Sequence, residues 1–287
     1  METIIGLGSA GCKIAEKFAE YPQYAIYRID SEKRPGPKFK QLKKANSHEE
    51  YEKNCPSFKR YFKEAKAPFL FIVSGAGSIS GATLRILEQL NSKEIYVLYV
   101  RPDVTLLSEM KRKQERAGFH ILQQFARSGL LKRIFLIDNS KLEEIIQDTP
   151  VIGYYDKLNE LIVSVVHMIN VCMNSEPVLE TFDDPVGAAR ISTLGIVDLE
   201  TGQETLFFDL KMPREKVYFY MIHEDKLKSD GELLKTITGQ VRSRMEGGKI
   251  QTSFGIYSTE YQQNYVYVLA HTSLIQNELF FLSDDES

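Results

Sequence analysis

The sequence predicts an α/β protein with a parallel sheet covered by helices on both faces, a long linking helix, and a second, smaller α+β domain. Three observations predict it. Short apolar runs alternate with helical patterns through the first half, one long apolar helix follows, and the chain then changes to aromatic strands with alternating polarity.

The first half reads as strand Thr3–Leu7, helix Gly11–Glu20, strand Tyr24–Ile29, and a basic, proline-bearing stretch around Arg34–Lys44. Strand Phe69–Val73, helix Gly81–Leu90, strand Ile95–Val100, helix Leu106–Ser128 and strand Arg133–Ile137 complete it. Alternation of this kind makes the strands parallel, because each helix carries the chain back to the edge where the last strand began. From Tyr154 to about Val171, Leu158, Leu161, Ile162, Val165, Val166 and Ile169 recur at helical spacing, which gives the linking helix. After Pro177 and Pro185 come strands Leu206–Leu210, Val217–Ile222, Thr252–Tyr257 and Tyr265–Ala270, with a helix over Gly231–Arg244. The expected division is 1–153, 154–176 and 177–287.

A chain of 287 residues can bury two cores. Charged residues make up 26% with a net charge of −3, so no electrostatic case exists for direct binding of nucleic acid or an anionic membrane. Cys12, Cys55 and Cys172 are odd in number and scattered, without metal-ligand spacing, and read as reduced thiols. The N-terminus lacks the basic and apolar regions of a signal peptide, and no run approaches the ~20 apolar residues of a membrane helix. A cytoplasmic protein is expected. The acidic tail Ser283–Ser287 reads as a solvated end, with an adaptor-binding tail as the alternative.

Gly6-Leu7-Gly8-Ser9-Ala10-Gly11 is a GxGxxG that leaves a strand and enters a helix, an arrangement that turns backbone N–H groups and a positive helix end toward a phosphate. Asp30, at the end of the second strand, has the spacing of a dinucleotide enzyme's ribose-binding acid, so an NAD enzyme on a Rossmann-like sheet competes. A second small-residue loop, Ser74–Ala82, again lies between an apolar strand and a helix, with Ser78 and Ser80 as further donors. An NAD enzyme has no need of it. A Walker loop is excluded, since no Gly-Lys-Ser/Thr follows either glycine run.

With both loops in place, the chain resembles the tubulin/FtsZ family. Gly77-Ser78-Ile79-Ser80-Gly81 is similar to the GTGTG part of that family's phosphate loop, with serines for threonines and Ile79 for a glycine. Gly6–Lys13 is similar to its first loop, with fewer glycines. Tyr99–Pro102, Glu109–Lys113, Ile137–Leu142 and Tyr155–Glu160 resemble further family segments in the same order.

The resemblance implies phosphate contacts from Gly8, Ser9, Ala10, Gly11 and Cys12, and from Gly75, Gly77, Ser78, Ile79, Ser80 and Gly81. It implies sugar contacts from Glu109 and Lys113, with Asp30 kept as a further nucleotide contact. Tyr155 would stack on guanine and Asn159 would bond its edge, from one helix face at i and i+4; the bland alternative is a core cap and a helix-end residue. By the same resemblance Glu180 and Asp183, with Asp184 in the alternative register, form the catalytic acidic pair inserted into the next subunit's nucleotide site. A solvated turn before Pro185 is the competing reading. The implied protein is a compact, divergent GTPase that polymerises head to tail, using GTP/GDP and Mg²⁺ and assigning no metal ligand among its own side chains. A non-hydrolysing nucleotide-dependent scaffold and the NAD enzyme are the alternatives.

Overall fold

The computed structural model describes residues 1–75, 77–146, 149–183, 187–245 and 249–276. Asp184, Pro185 and the tail Ser283–Ser287 lie outside them. In chain order the elements are β1 (Thr3–Leu7), α1 (Gly8–Lys17), β2 (Ala25–Asp30), β3 (Phe39–Gln41), α2 (His48–Lys53), β4 (Phe69–Ser74), α3 (Thr83–Leu90) and β5 (Ile95–Arg101). They continue with α4 (Glu109–Ser128), β6 (Arg133–Asp138), α5 (Asn139–Ile145) and α6 (Tyr154–Cys172). The last third holds β7 (Leu179–Glu180), β8 (Ile191–Val197), β9 (Glu204–Leu206), β10 (Glu215–His223), α7 (Glu224–Ser229), α8 (Leu233–Met245), β11 (Gln251–Thr259) and β12 (Tyr265–Thr272).

The strands form one sheet in the order β3-β2-β1-β4-β5-β6-β8-β12-β10-β11-β7, with β9 paired to β8 off that path. From β3 to β6 every pair is parallel. The chain lays down β1, β2 and β3 in one direction and β4, β5 and β6 in the other, so the order reverses between β1 and β4. In open α/β sheets such a reversal leaves a crevice beyond the carboxyl ends of the two strands, where ligands sit.

Near-continuous apolar runs make β1, β4 and β5 the centre of the molecule, because a strand covered on both faces must be apolar at every position. Ile4, Leu70, Ile72, Leu98 and Val100 face one core with Ile14 of α1 and Leu158, Ile162, Val165 and Ile169 of α6. Their neighbours Ile5, Phe71, Val73, Val97 and Tyr99 face the other, with Ile86 of α3 and Phe119 and Leu122 of α4. Fully burying each such side chain contributes roughly 1.5–3 kcal/mol. A third cluster packs Leu233, Ile237 and Val241 of α8 on Tyr218, Tyr220, Phe254 and Val268. No described helix is long and apolar enough to cross a membrane.

Several elements depart from the sequence reading. Helix α1 starts at Gly8 rather than Gly11, so the glycine motif is itself the first turn. A Cβ on Gly11 would stand 2.5 Å from the Ile72 carbonyl oxygen, and one on Gly6 would overlap the backbone of Gly11. These glycines let the helix settle directly on β1 and β4. The helix expected from Gly81 opens with a 3₁₀ turn, Ser78–Ala82, and becomes α-helical at Thr83.

Strand Leu206–Leu210 is not formed; β9 ends at Leu206. The apolar residues after it are buried without a ladder, Phe207 in the core beneath α6 and Phe208 and Leu210 in the core beneath α4. A central strand, β8, stands where no strand was expected, joined to β6 through Ile134↔Ile191 and Phe135↔Ser192.

Candidate functional site

Both glycine loops leave the carboxyl ends of adjacent strands, since β1 and β4 are paired through Leu7↔Val73. Helix α1 begins at once after β1 with no side-chain cap. The first four N–H groups of a helix have no intrahelical partner, and they carry the positive end of the helix dipole. Gly8 takes a left-handed φ of +73°, and a Cβ there would stand 2.7 Å from Ile79 Cγ2. The isoleucine of the second loop therefore lies directly against the first.

The second loop is braced from behind. Gly75 is packed so closely on the Tyr99 hydroxyl that a Cβ would overlap it, and that hydroxyl donates to Glu115 Oε1 at 3.1 Å. At Gly81 a Cβ would overlap the His48 carbonyl oxygen. Ser80 turns its hydroxyl inward, donating to the Gly77 carbonyl at 2.8 Å and lying 3.4 Å from His48 Nε2. Burial lowers the His48 pKa below the usual imidazole value. The Ser78 hydroxyl makes no hydrogen bond with a described residue, and Gly77 is exposed.

In the first loop Ser9 and Ala10 are exposed, whereas Gly11 and Cys12 are buried. The Cys12 thiol points into the protein, 3.5 Å from the Gly6 carbonyl oxygen and 3.4 Å from that of Ile29, and burial pushes its pKa up to about 12. Asp30 is 3% exposed; its carboxylate accepts from the Ser31 N–H at 2.8 Å and from Arg34 Nε at 2.9 Å. Arg34 continues across the loop, donating from Nη2 to Ser9 Oγ at 3.0 Å. The sequence placed this arginine in a basic stretch and gave no sign of its partner, which lies 25 residues away.

Helices α1 and α6 lie side by side and run the same way, for Lys17 at the end of α1 pairs with Glu160 at 2.8 Å, and Tyr21, four residues past it and beyond α1, stacks on His167 further along α6 with centroids 3.6 Å apart. Their N-terminal turns therefore share one end of the molecule, beyond the carboxyl ends of β1 and β4. There Tyr155 is 64% exposed, set edge-on to Tyr154, while Asn159 is 8% exposed and its side chain makes no hydrogen bond with any described residue. Glu109 and Lys113 pair with each other at 2.7 Å on the exposed start of α4, which follows β5 at the same end.

Glu180 and Asp183 lie at the other end. With Phe182, they border a cleft of about 510 Å³ that also includes Met1, Pro68 and Asn174. Met1 and Pro68 precede β1 and β4, so the cleft opens at the amino ends of the strands that carry the glycine loops at their carboxyl ends. The fold thus gathers the two loops and the start of α6 and holds Glu180 and Asp183 apart from them. Both ends expose apolar side chains: Leu106, Met110, Val151 and Ile152 near the loops, Met173, Val178 and Phe182 near the acids.

No family model matches the sequence, and no curated protein sequence does. Solved structures match closely in shape. FtsZ of M. jannaschii aligns over 94% of this chain and 87% of its own with a TM-score of 0.69 at 14% identity. A GTPγS-form protofilament of TubZ from Bacillus thuringiensis serovar israelensis aligns over 96% and 86% with a TM-score of 0.66, also at 14% identity. The GTPγS-bound protofilament of CetZ2 from Haloferax volcanii aligns over 94% and 92% with a TM-score of 0.72 at 15% identity. A mostly parallel sheet reversing between β1 and β4, a long α6 beside it, and these alignments over nearly the whole chain give this protein the fold of the tubulin/FtsZ family.

Proposed function

We propose that the chain binds GTP between its two glycine loops, assembles head to tail with copies of itself, and hydrolyses the nucleotide at the junction. One observation carries this reading: the loops and the acidic pair occupy opposite ends of the same strands. A single subunit cannot bring them together. A second copy stacked in the same orientation sets Glu180 and Asp183 against the loops, and such a heterologous contact repeats without closing. The apolar residues at both ends suit a contact of that kind, and the TubZ and CetZ2 neighbours are protofilaments holding GTPγS.

In the proposed complex the phosphates lie on the first turn of α1, at Gly8, Ser9, Ala10 and Gly11, and on Gly77 and Ser78. The guanine reaches Tyr155 and Asn159. Carboxylates from the neighbouring copy orient a water for attack on the γ-phosphorus, as the bond to the β–γ bridging oxygen breaks and GDP leaves with that electron pair. The water's proton passes to a carboxylate or to the released phosphate. A non-hydrolysing scaffold is the second reading, and the observation favouring it is Ile79, whose side chain lies against Gly8 inside the groove. The dinucleotide reading is weakened by Asp30, whose carboxylate is already engaged by Arg34 and the Ser31 N–H.

Light scattering and phosphate release, followed together with GTP or GDP, test the proposal. The expected result is scattering that rises with GTP above a threshold protein concentration, accompanied by phosphate, and no response to GDP. Assembly without phosphate release supports the scaffold; phosphate release without assembly overturns the shared site.

Asn159 should determine the choice of base. In the proposed complex the Asn159 carboxamide bonds the guanine edge, and removing it leaves that edge unpaired, at a cost of about 1–3 kcal/mol. Asn159→Ala is therefore expected to weaken GTP by roughly 1–3 kcal/mol and to level the affinities for GTP and ATP. Equal affinities in the unmodified protein, measured by calorimetry, would remove this role.

A further inference from the structure

The side chains at the glycine loops build no metal cage of their own, so a Mg²⁺ ion there would take its ligands from phosphate oxygens and water. Among the described residues no group of three acidic, histidine or cysteine side chains is placed to hold a metal. Two carboxylates beside α1 are already committed. Asp30 is bonded to Arg34 Nε and the Ser31 N–H, while Glu16 accepts from Arg28 Nη1 at 2.7 Å.

A permanent cation stands there instead. The Arg34 guanidinium is 16% exposed at its side chain and reaches Ser9, the second residue of α1, with Nη2 3.0 Å from the hydroxyl and 3.4 Å from the carbonyl oxygen. Its Nη1 lies 3.7 Å from Glu16 Oε1, beyond hydrogen-bond length. The segment that carries it is fixed from below, since Arg28 Nη2 donates to the carbonyls of Pro35 at 2.8 Å and Pro37 at 3.1 Å. The direction of the Ser9 bond also matters. Because the Ser9 oxygen accepts from Arg34, its own proton is left to donate outward, beside the unpartnered N–H groups of the helix start.

We propose that Arg34 is the phosphate-selecting cation of this site, supplying from the protein the counter-charge that a divalent metal would otherwise bring, with the Ser9 hydroxyl oriented by it as a second donor. The proposal rests on the reading of the loops as a nucleotide site. Arginine suits the task because it stays protonated and offers several donors in a planar fork. With Nη2 holding Ser9, Nη1 is the nitrogen without a hydrogen bond to a described residue, and a phosphate oxygen would give it a bond in which both partners are charged. Asp30 keeps the guanidinium in place through Nε while Nη2 reaches the loop at Ser9.

Equilibrium binding of GTP, GDP and guanosine to the full chain, in excess Mg²⁺ and again in EDTA, decides the matter. The unmodified protein is expected to keep its GTP affinity within about threefold when the metal is removed, because a fixed cation remains. Arg34→Gln should lose about 10–100-fold for GTP and GDP, the worth of one or two charge-assisted bonds, and little for guanosine, which carries no phosphate. Arg34→Lys should recover part of the loss. A drop of tenfold or more in EDTA for the unmodified protein overturns the proposal without any variant, as does an equal loss of all three ligands in Arg34→Gln, which marks a structural residue. If guanosine and GTP both fail to bind the unmodified protein, the nucleotide site itself is refuted and this inference with it.

Discussion

Gly81→Val is expected to abolish GTP binding while leaving a folded protein. Any side chain at this position overlaps the His48 carbonyl oxygen, a backbone atom that has no rotamer by which to move aside. The second loop must then lift away from α2, and the Ser80 hydroxyl loses its contact with His48. The proposed phosphate donors Gly77 and Ser78 would move with it. Overpacking of this sort costs typically ~1–3 kcal/mol, a loss that a domain with three separate apolar clusters is expected to absorb. The block is thus indirect: Gly81 faces α2, and the loop rather than the new side chain is what spoils the site. GTP affinity by calorimetry, with circular dichroism to confirm folding, checks it; undiminished affinity in a folded variant would mean that this loop does not hold phosphate.

The other large effect concerns Glu180→Gln and Asp183→Asn. If these carboxylates orient water only across a junction, GTP turnover in the unmodified protein rises steeply with protein concentration and vanishes for the isolated subunit. The neutral variants should bind GTP and assemble, with turnover lowered by about 10²–10⁴-fold, the usual worth of a positioned acid–base group. Their filaments should persist, since hydrolysis no longer triggers disassembly. Phosphate release and pelleted protein, followed through one dilution series, test both statements. A constant specific rate far below the assembly threshold refutes a shared site, and unchanged turnover in both variants leaves the acidic role to Asp184 or to no residue of this loop.

What the sequence disclosed follows from where information is local. Strand β1 matches its expected bounds, and β4 and β5 match within one residue, because strands covered on both faces are apolar throughout and end where glycine, proline or charge begins. The ends of α6 were similarly readable from its apolar spacing. Strand β8 was hidden because Ser192 and Thr193 look like solvent-facing residues. Both are wholly buried, Ser192 bonded to His271 Nδ1 at 2.8 Å and Thr193 to the Leu136 carbonyl at 2.8 Å, partners distant in the chain. The reverse error fell on Phe207–Leu210, whose alternating apolar residues imitate a strand while serving two different cores.

The candidate site divides in the same way. Its glycines were legible as a motif, and their order along the chain led to the fold that the structural neighbours share. The role of Ile79 in touching Gly8, the brace from His48 and the Arg34 bridge to Ser9 all depend on strands β1, β2 and β4 being adjacent, which no local pattern encodes.

The buried stretch after β9 has a mechanical meaning. Strands β6 and β8 stay paired for two residues only, yet beyond that point the Phe207 N–H donates to the Leu194 carbonyl at 2.8 Å and the Phe207 carbonyl accepts from the Asp138 N–H at 2.7 Å. A short piece of backbone is wedged into the fork where the two strands part, like a key between two shafts. In a filament of the proposed kind, load entering at the glycine loops of one subunit and leaving at its acidic end crosses that fork. There the Phe207 main chain bonds to both strands, so β6 and β8 stay joined beyond the point where their own pairing ends.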